Sequence, residues 1–87
     1  MSTITNQTLA VSKKILSRLA IKPMRQHELC EQTIRDSVSI KKTITVFYWL
    51  KNQGFIQKEN QGYCSPFRLT KKGKFFYEAI TLEENHT

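Results

Sequence analysis

Cysteine, proline and glycine are scarce in this chain of 87 residues, which contains two, two and three of them. Cys30 and Cys64 lie 34 positions apart without a Cys-x-x-Cys pair, and the histidines are His27 and His86. This spacing indicates neither a disulfide framework nor a metal site. So few glycines and prolines also exclude collagen-like and low-complexity chains.

Long apolar runs are missing as well. No stretch approaches the roughly 20 apolar residues that cross a bilayer, and the first seven residues lack a basic region followed by an apolar one. We therefore expect no contact with a membrane. The cysteine usage fits a reducing compartment, so the expected location is the cytoplasm.

Signs of catalysis are equally sparse. The sequence has no glycine-rich phosphate loop, and His27 beside Glu28 and Glu31 is more typical of a helix surface than of a catalytic base. The sequence therefore predicts a protein that is not an enzyme, uses no cofactor and has no small-molecule ligand. Its length predicts one domain over residues 1–87, with an ordered core from about residue 5 to 82.

Acidic residues are outnumbered, with 7 Asp and Glu against 14 Lys and Arg, and the excess of cations is concentrated. Residues 41–74 hold eight basic residues and a single acid, Glu59, whereas residues 75–87 hold three acids and no base. A segment with this imbalance attracts polyanions, and nucleic acid is the leading candidate. The alternative is a set of solvated lysines without a partner.

Helical periodicity is clear in three segments of the first 54 residues. Residues 5–20 form an amphipathic helix that Pro23 ends, and 25–33 form a shorter helix with Leu29 and Cys30 as its apolar pair. Residues 34–39 read as a turn in which Ser37 or Ser39 caps the next helix, 40–53, and Gly54 stops it. The predicted buried face of that third helix comprises Ile40, Thr43, Ile44, Phe47 and Leu50.

The period then changes to that of a β-hairpin. Residues 55–59 and 63–69 suit two strands joined by the turn 60–62, and Pro66 makes the second an edge strand or delays its pairing. Thr70 caps a last helix that ends in a frayed segment, 83–87, and carries an apolar stripe of Phe75, Phe76, Ala79 and Ile80.

Three local strings resemble the winged helix-turn-helix family. Leu50 to Ile56 resembles its exit from the recognition helix into the wing, and Phe67 to Lys74 resembles its exit from the wing into the last helix. Glu28-Leu29-Cys30 is similar to the Glu-Leu-Ala of the family's second helix. The resemblance implies an α+β winged helix, with a three-helix helix-turn-helix core, a β-hairpin wing and a C-terminal helix.

The resemblance also implies binding of double-stranded DNA, with the third helix in the major groove and the hairpin as the wing. We expect a small prokaryotic or viral transcriptional regulator that acts by occlusion. A winged-helix adaptor for protein recognition in a replication, transcription or repair assembly is the alternative, and scattered basic residues would favour it. The predicted DNA-binding residues are Arg35, Ser37, Ser39, Lys41, Lys42, Thr45, Tyr48, Asn52, Lys58, Asn60, Gln61 and Arg68.

The single tryptophan falls opposite the predicted buried face of the third helix. We consider three positions for such a large ring, in order of preference. It folds back under the wing or first helix, it packs across a dimer axis, or it touches DNA. The last helix also carries more apolar surface than one terminal helix needs. We therefore predict a homodimer that reads two half-sites one helical turn apart, with an interface formed by Trp49, Phe76, Ala79 and Ile80.

Overall fold

A computed structural model describes residues 6–35, 39–62 and 65–85. Over these ranges the chain forms four helices and two strands, in the order that the sequence predicts. They are α1 (Asn6–Ile21), α2 (Gln26–Arg35), α3 (Ile40–Asn52), β1 (Ile56–Lys58), β2 (Phe67–Leu69) and α4 (Lys71–Asn85). The fold is an α+β winged helix, with the antiparallel pair β1 and β2 as its hairpin.

The core lies where α1, α2 and α3 meet the base of the hairpin. The rings of Phe47 on α3 and Phe67 on β2 meet edge to face, with centroids 5.0 Å apart, and join the helices to the sheet. Ile80 is the residue through which α4 reaches the core. The buried apolar side chains are Val11, Ile15, Leu16, Leu19, Met24, Leu29, Val46, Phe47, Leu50, Phe55, Ile56, Phe67 and Ile80.

The connector between α1 and α2 takes part in the sheet. The N–H of Met24 donates to the carbonyl oxygen of Phe67 at 3.1 Å, and the N–H of Phe67 donates to Met24 at 2.7 Å. β2 therefore lies between Met24 and β1. The strands are shorter than predicted, and ladder pairing starts at Phe67, directly after Pro66. Of the two readings that Pro66 allowed, delayed pairing is confirmed.

The boundaries of α2 and α4 differ from the sequence prediction. α2 continues to Arg35, two residues past the predicted end, and the buried Thr33 hydroxyl donates to the Leu29 carbonyl oxygen at 2.8 Å. Residues 34 and 35 of the predicted turn thus belong to α2, and residues 36–38, which include Ser37, lie outside the described residues. α4 extends to Asn85, and residues 86 and 87 of the segment predicted to fray lie outside the described residues.

The predicted caps of α3 and α4 are confirmed. The Ser39 hydroxyl accepts the N–H of Lys42 at 3.1 Å, and Gly54, with φ of 81°, follows the end of α3. The Thr70 hydroxyl accepts the N–H of Gly73 at 3.0 Å and donates to the Gly54 carbonyl oxygen at 2.6 Å. One side chain therefore joins the end of α3 to the start of α4.

Candidate nucleic-acid interface

One side of α3 faces away from the rest of the protein. Thr43, Val46, Phe47 and Leu50 are buried against α1 and α2. The residues exposed on the opposite side, which we call the outer face of α3, are Ile40, Lys41, Ile44, Thr45, Tyr48, Lys51 and Asn52.

The predicted helical phase of α3 was partly wrong. Ile40 and Ile44 were assigned to the core, but 61% and 42% of their surfaces are exposed. Val46, which the prediction omitted, is 1% exposed. Apolar residues surround most of this helix, so hydrophobicity alone does not identify the side that packs. The neighbouring helices determine which side of α3 is buried.

Four of the predicted DNA-binding residues lie together on the outer face of α3, namely Lys41, Thr45, Tyr48 and Asn52. Lys42 does not join them. Its ammonium donates to the Thr8 hydroxyl on α1 at 3.3 Å, and its side chain is half-buried at the edge of this face.

The predicted residues before α3 have local structural contacts. The Ser39 side-chain oxygen is occupied as the N-cap acceptor described above. Arg35 lies in the last turn of α2 rather than in a turn between helices, and its guanidinium pairs with Glu31 at 3.1 Å. Both side chains are exposed, but neither is part of the outer face of α3.

A groove of about 380 Å³ lies between the start of α2, α3 and the hairpin. Ile44 comes from the outer face of α3, and the groove also has two cationic side chains, Arg25 and Lys58. Burial raises the pKa of the Cys30 thiol, which also lines this groove. The remaining lining residues are Gln26, His27, Ser65 and Phe67.

Lys51 links α3 to the hairpin. Its ammonium lies 5.7 Å from the ring centroid of Tyr48 and 6.0 Å from that of Phe67. Lys51 and Lys58 also line one recess of about 570 Å³ that extends along the hairpin to its exposed tip, Asn60 and Gln61. Three cations thus surround the centre of this site, with Lys51 on the outer face of α3 and Arg25 and Lys58 beside it.

Two of these cations were missed by the sequence prediction. Lys51 falls on the wrongly placed buried face, so correcting the helical phase would have found it. Arg25 lies just before α2, and its position beside the groove results from the packing of α2 against α3. No local pattern in the sequence indicates that contact.

Arg68 is separated from the other predicted wing residues. In the strand register Arg68 is opposite Gln57, and both side chains are exposed on the face of the hairpin away from Ile56 and Phe67. Arg68 lines a shallow recess with Lys71 and Lys74 of α4. The hairpin therefore presents Lys58 and Arg68 on different sides.

Trp49 packs onto its own chain, but against Phe55 and the last helix rather than under the wing or the first helix, which the sequence prediction preferred. Its ring centroid lies 5.8 Å from that of Phe55 and 5.9 Å from that of Phe76. Phe55 and Phe76 are stacked at 4.3 Å. This aromatic cluster joins α3 to α4 and leaves Trp49 half-buried.

The predicted dimer residues do not form one surface. Ile80 is 6% exposed and belongs to the core, which corrects its assignment to an interface between chains. Phe76 is half-buried under Trp49, whereas Ala79 is exposed. The open apolar surface of α4 is instead a stripe formed by Phe75, Ala79 and Leu82.

Clustered metal ligands and membrane-spanning helices are both absent from the residues that the structure describes. That part of the chain contains no group of three or more His, Cys, Asp or Glu side chains able to hold a metal ion. None of the described helices has the length and apolarity needed to cross a membrane.

Comparisons with known proteins identify a likeness in structure. No family model matches the chain, and no curated protein matches it in sequence. The crystal structure of SSV1 F-93 is similar, with a TM-score of 0.67 over 99% of this chain and 96% of that one. The two sequences are 19% identical, so the likeness supports the winged-helix fold alone.

Proposed function

We propose that this protein binds double-stranded DNA, with the outer face of α3 in the major groove and the hairpin beside it as a wing. The convergence of Arg25, Lys51 and Lys58 around that face supports this proposal most directly. Cations at the rim suit contacts with phosphates, while side chains at the centre reach the base edges. Arg68 does not join this group, because it lies with Lys71 and Lys74 on another side of the hairpin.

The regulatory part of the proposal follows from DNA binding itself. A domain that covers a promoter site blocks other proteins from that site. We therefore propose a prokaryotic or viral transcriptional regulator that acts by occlusion in the cytoplasm. It requires no cofactor or small-molecule ligand in this account.

We also propose that it acts as a homodimer, with the stripe of Phe75, Ala79 and Leu82 at the interface. Phe75 is 69% exposed and Leu82 is 61% exposed, which favours a partner surface there. Light scattering after size exclusion should give a mass of about twice the 10.2 kDa of one chain, and Phe75→Glu should reduce it to one chain. If the protein without this substitution has the mass of one chain at tens of micromolar, the proposed dimer is refuted.

Fluorescence anisotropy with a labelled duplex tests DNA binding and the surface that carries it. Lys51→Ala and Lys58→Ala should each weaken binding and reduce the slope of log affinity against log salt by about 1.8, since each removes one phosphate contact from both chains of the dimer. Lys14→Ala is the matched control, because Lys14 lines a groove between α1 and α4. Equal affinities and slopes for all three folded variants and the parent would contradict the proposed interface.

A further inference from the structure

The outer face of α3 carries a row of large, exposed side chains. Ile40, Ile44 and Tyr48 are spaced four residues apart, so they lie in line along the helix. They are 61%, 42% and 44% exposed. Thr45, next to this row, adds the methyl group of a further exposed side chain.

The fold does not use the two isoleucines of this row for its core. Val46, Phe47 and Leu50 fill the packed side of α3 and are each at most 1% exposed. Isoleucine is also a weaker helix former than alanine, leucine or lysine, so helix propensity does not explain its presence at exposed positions. These side chains are therefore available to contact a partner.

Charge indicates what kind of partner contacts them. Ile44 shares its groove with Arg25 and Lys58, and Lys51 lies one turn further along α3 than Tyr48. Cations attract a polyanion, and the apolar row between them contacts small apolar groups. The partner that suits both is a polyanion that exposes small apolar groups between its charges. The major groove of DNA does so, because each thymine places a C5-methyl group there.

One polar side chain of α3 favours the same base pair. The helix contains no arginine, the side chain that most often reads guanine, although its exposed Lys41 can bond to guanine or to a phosphate. Asn52 is exposed near its C-terminal end, and asparagine pairs with the N6 and N7 atoms of adenine. Adenine and thymine are the two halves of one base pair, so both features point to A·T pairs.

We propose that α3 reads thymine methyl groups, with Ile44 as the central contact and Ile40 and Thr45 beside it. This inference rests on the proposed function and adds the bases that the protein selects. The DNA sites it prefers then carry A·T pairs where they face the N-terminal half of α3. Each methyl group buried against isoleucine contributes about a fourfold gain in affinity.

The test begins with the full chain and a randomised duplex library, from which the tightest binding sequences are selected. Each thymine of a selected duplex is then replaced by deoxyuridine, which removes only the C5-methyl group. We expect one or two positions at which the replacement weakens binding by about three- to fivefold in anisotropy titrations. At those positions Ile44→Ala should bind the thymine and uracil duplexes equally.

Two matched variants show whether the effect belongs to Ile44. Ile21→Ala removes an isoleucine that is 83% exposed at the end of α1, and it should keep the full preference for thymine. Lys51→Ala should weaken binding to both duplexes by the same factor. The inference is overturned if the parent protein binds duplexes but selects no sequence among them. It is also overturned if the parent binds thymine and uracil duplexes with equal affinity at every position. Either result leaves DNA binding itself intact. Folded protein that binds no duplex would overturn both.

Discussion

The carbonyl oxygen of Phe55 lies against Gly73, in the space that a Cβ atom on residue 73 would occupy. The N–H of Thr70 donates to this same oxygen at 3.1 Å. The segment that leaves α3 is therefore in direct backbone contact with the first turn of α4. The absence of a side chain at residue 73 permits this approach.

Gly73→Ala should lower the free energy of unfolding by about 2 kcal/mol, because the added methyl group overlaps a backbone atom that cannot move freely. Alanine within a helix ordinarily stabilises it by about 1 kcal/mol relative to glycine. A decrease in the free energy of unfolding would therefore identify the close contact with Phe55. Urea denaturation followed by circular dichroism measures the difference. Lys74→Ala, at an exposed position of the same turn, should be nearly neutral. A Gly73→Ala protein as stable as the parent would show that the contact is not close.

The hydroxyl of Ser12 on α1 is fully buried, and it has no hydrogen-bond partner among the described residues. Burial of an unpaired hydroxyl costs about 1–3 kcal/mol, so Ser12→Ala should raise the free energy of unfolding by about 1 kcal/mol. Ser17→Ala is the comparison, since the Ser17 hydroxyl donates to the Lys14 carbonyl oxygen at 3.0 Å. The thermal midpoint should rise more for Ser12→Ala than for Ser17→Ala. A lower midpoint for Ser12→Ala would mean that this hydroxyl stabilises the fold.

The orientation of α3 can be tested with two truncations in adjacent turns. Phe47→Ala should cost about 3–5 kcal/mol, because the ring is fully buried against Phe67 and its loss leaves a cavity. Ile44→Ala should change stability by less than about 0.5 kcal/mol, since Ile44 is on the outer face of α3. Chemical denaturation of both proteins gives the comparison. A large loss in Ile44→Ala would restore the helical phase that the sequence suggested.

Cys30 provides a test that depends on pH. Burial raises the pKa of its thiol, so less of the reactive thiolate is present at a given pH than for an exposed cysteine. In a Cys64→Ser protein, alkylation of Cys30 at pH 8 should be slower than that of glutathione and should accelerate as the pH rises further. Bound DNA should slow it again, because Cys30 lines the groove beside Ile44. Reaction as fast as glutathione would contradict this burial.

Sequence predicted the parts of the fold that depend on local chemistry. Ser39, Gly54 and Thr70 were assigned as caps or helix ends because their side chains or backbone freedom satisfy requirements within four residues. The change of period at Phe55 likewise predicted the hairpin. These interactions involve neighbouring residues, so their patterns are visible without knowledge of the packing.

Tertiary contacts decide what the sequence did not reveal. The sheet contact of Met24 and the position of Arg25 depend on where α2 packs, which no periodicity encodes. The same is true of α3, where Ile44 and Val46 are both apolar and only the neighbouring helices select which is buried. The candidate site was therefore predicted in its helix, in half of its side chains and in Lys58, whereas Arg25 and Lys51 were found only in the structure.

Anisotropy titration of the parent protein with a labelled duplex, at salt concentrations from 50 to 200 mM, tests the central claim most directly. If Arg25, Lys41, Lys51 and Lys58 of both chains of the dimer contact phosphates, log affinity should fall with log salt with a slope of about −7.2, which is a loss of roughly 20,000-fold over this range. Binding with such a slope supports DNA recognition through the basic rim of α3. Folded protein that shows no binding at 50 mM salt, or an affinity that does not change with salt, would contradict it.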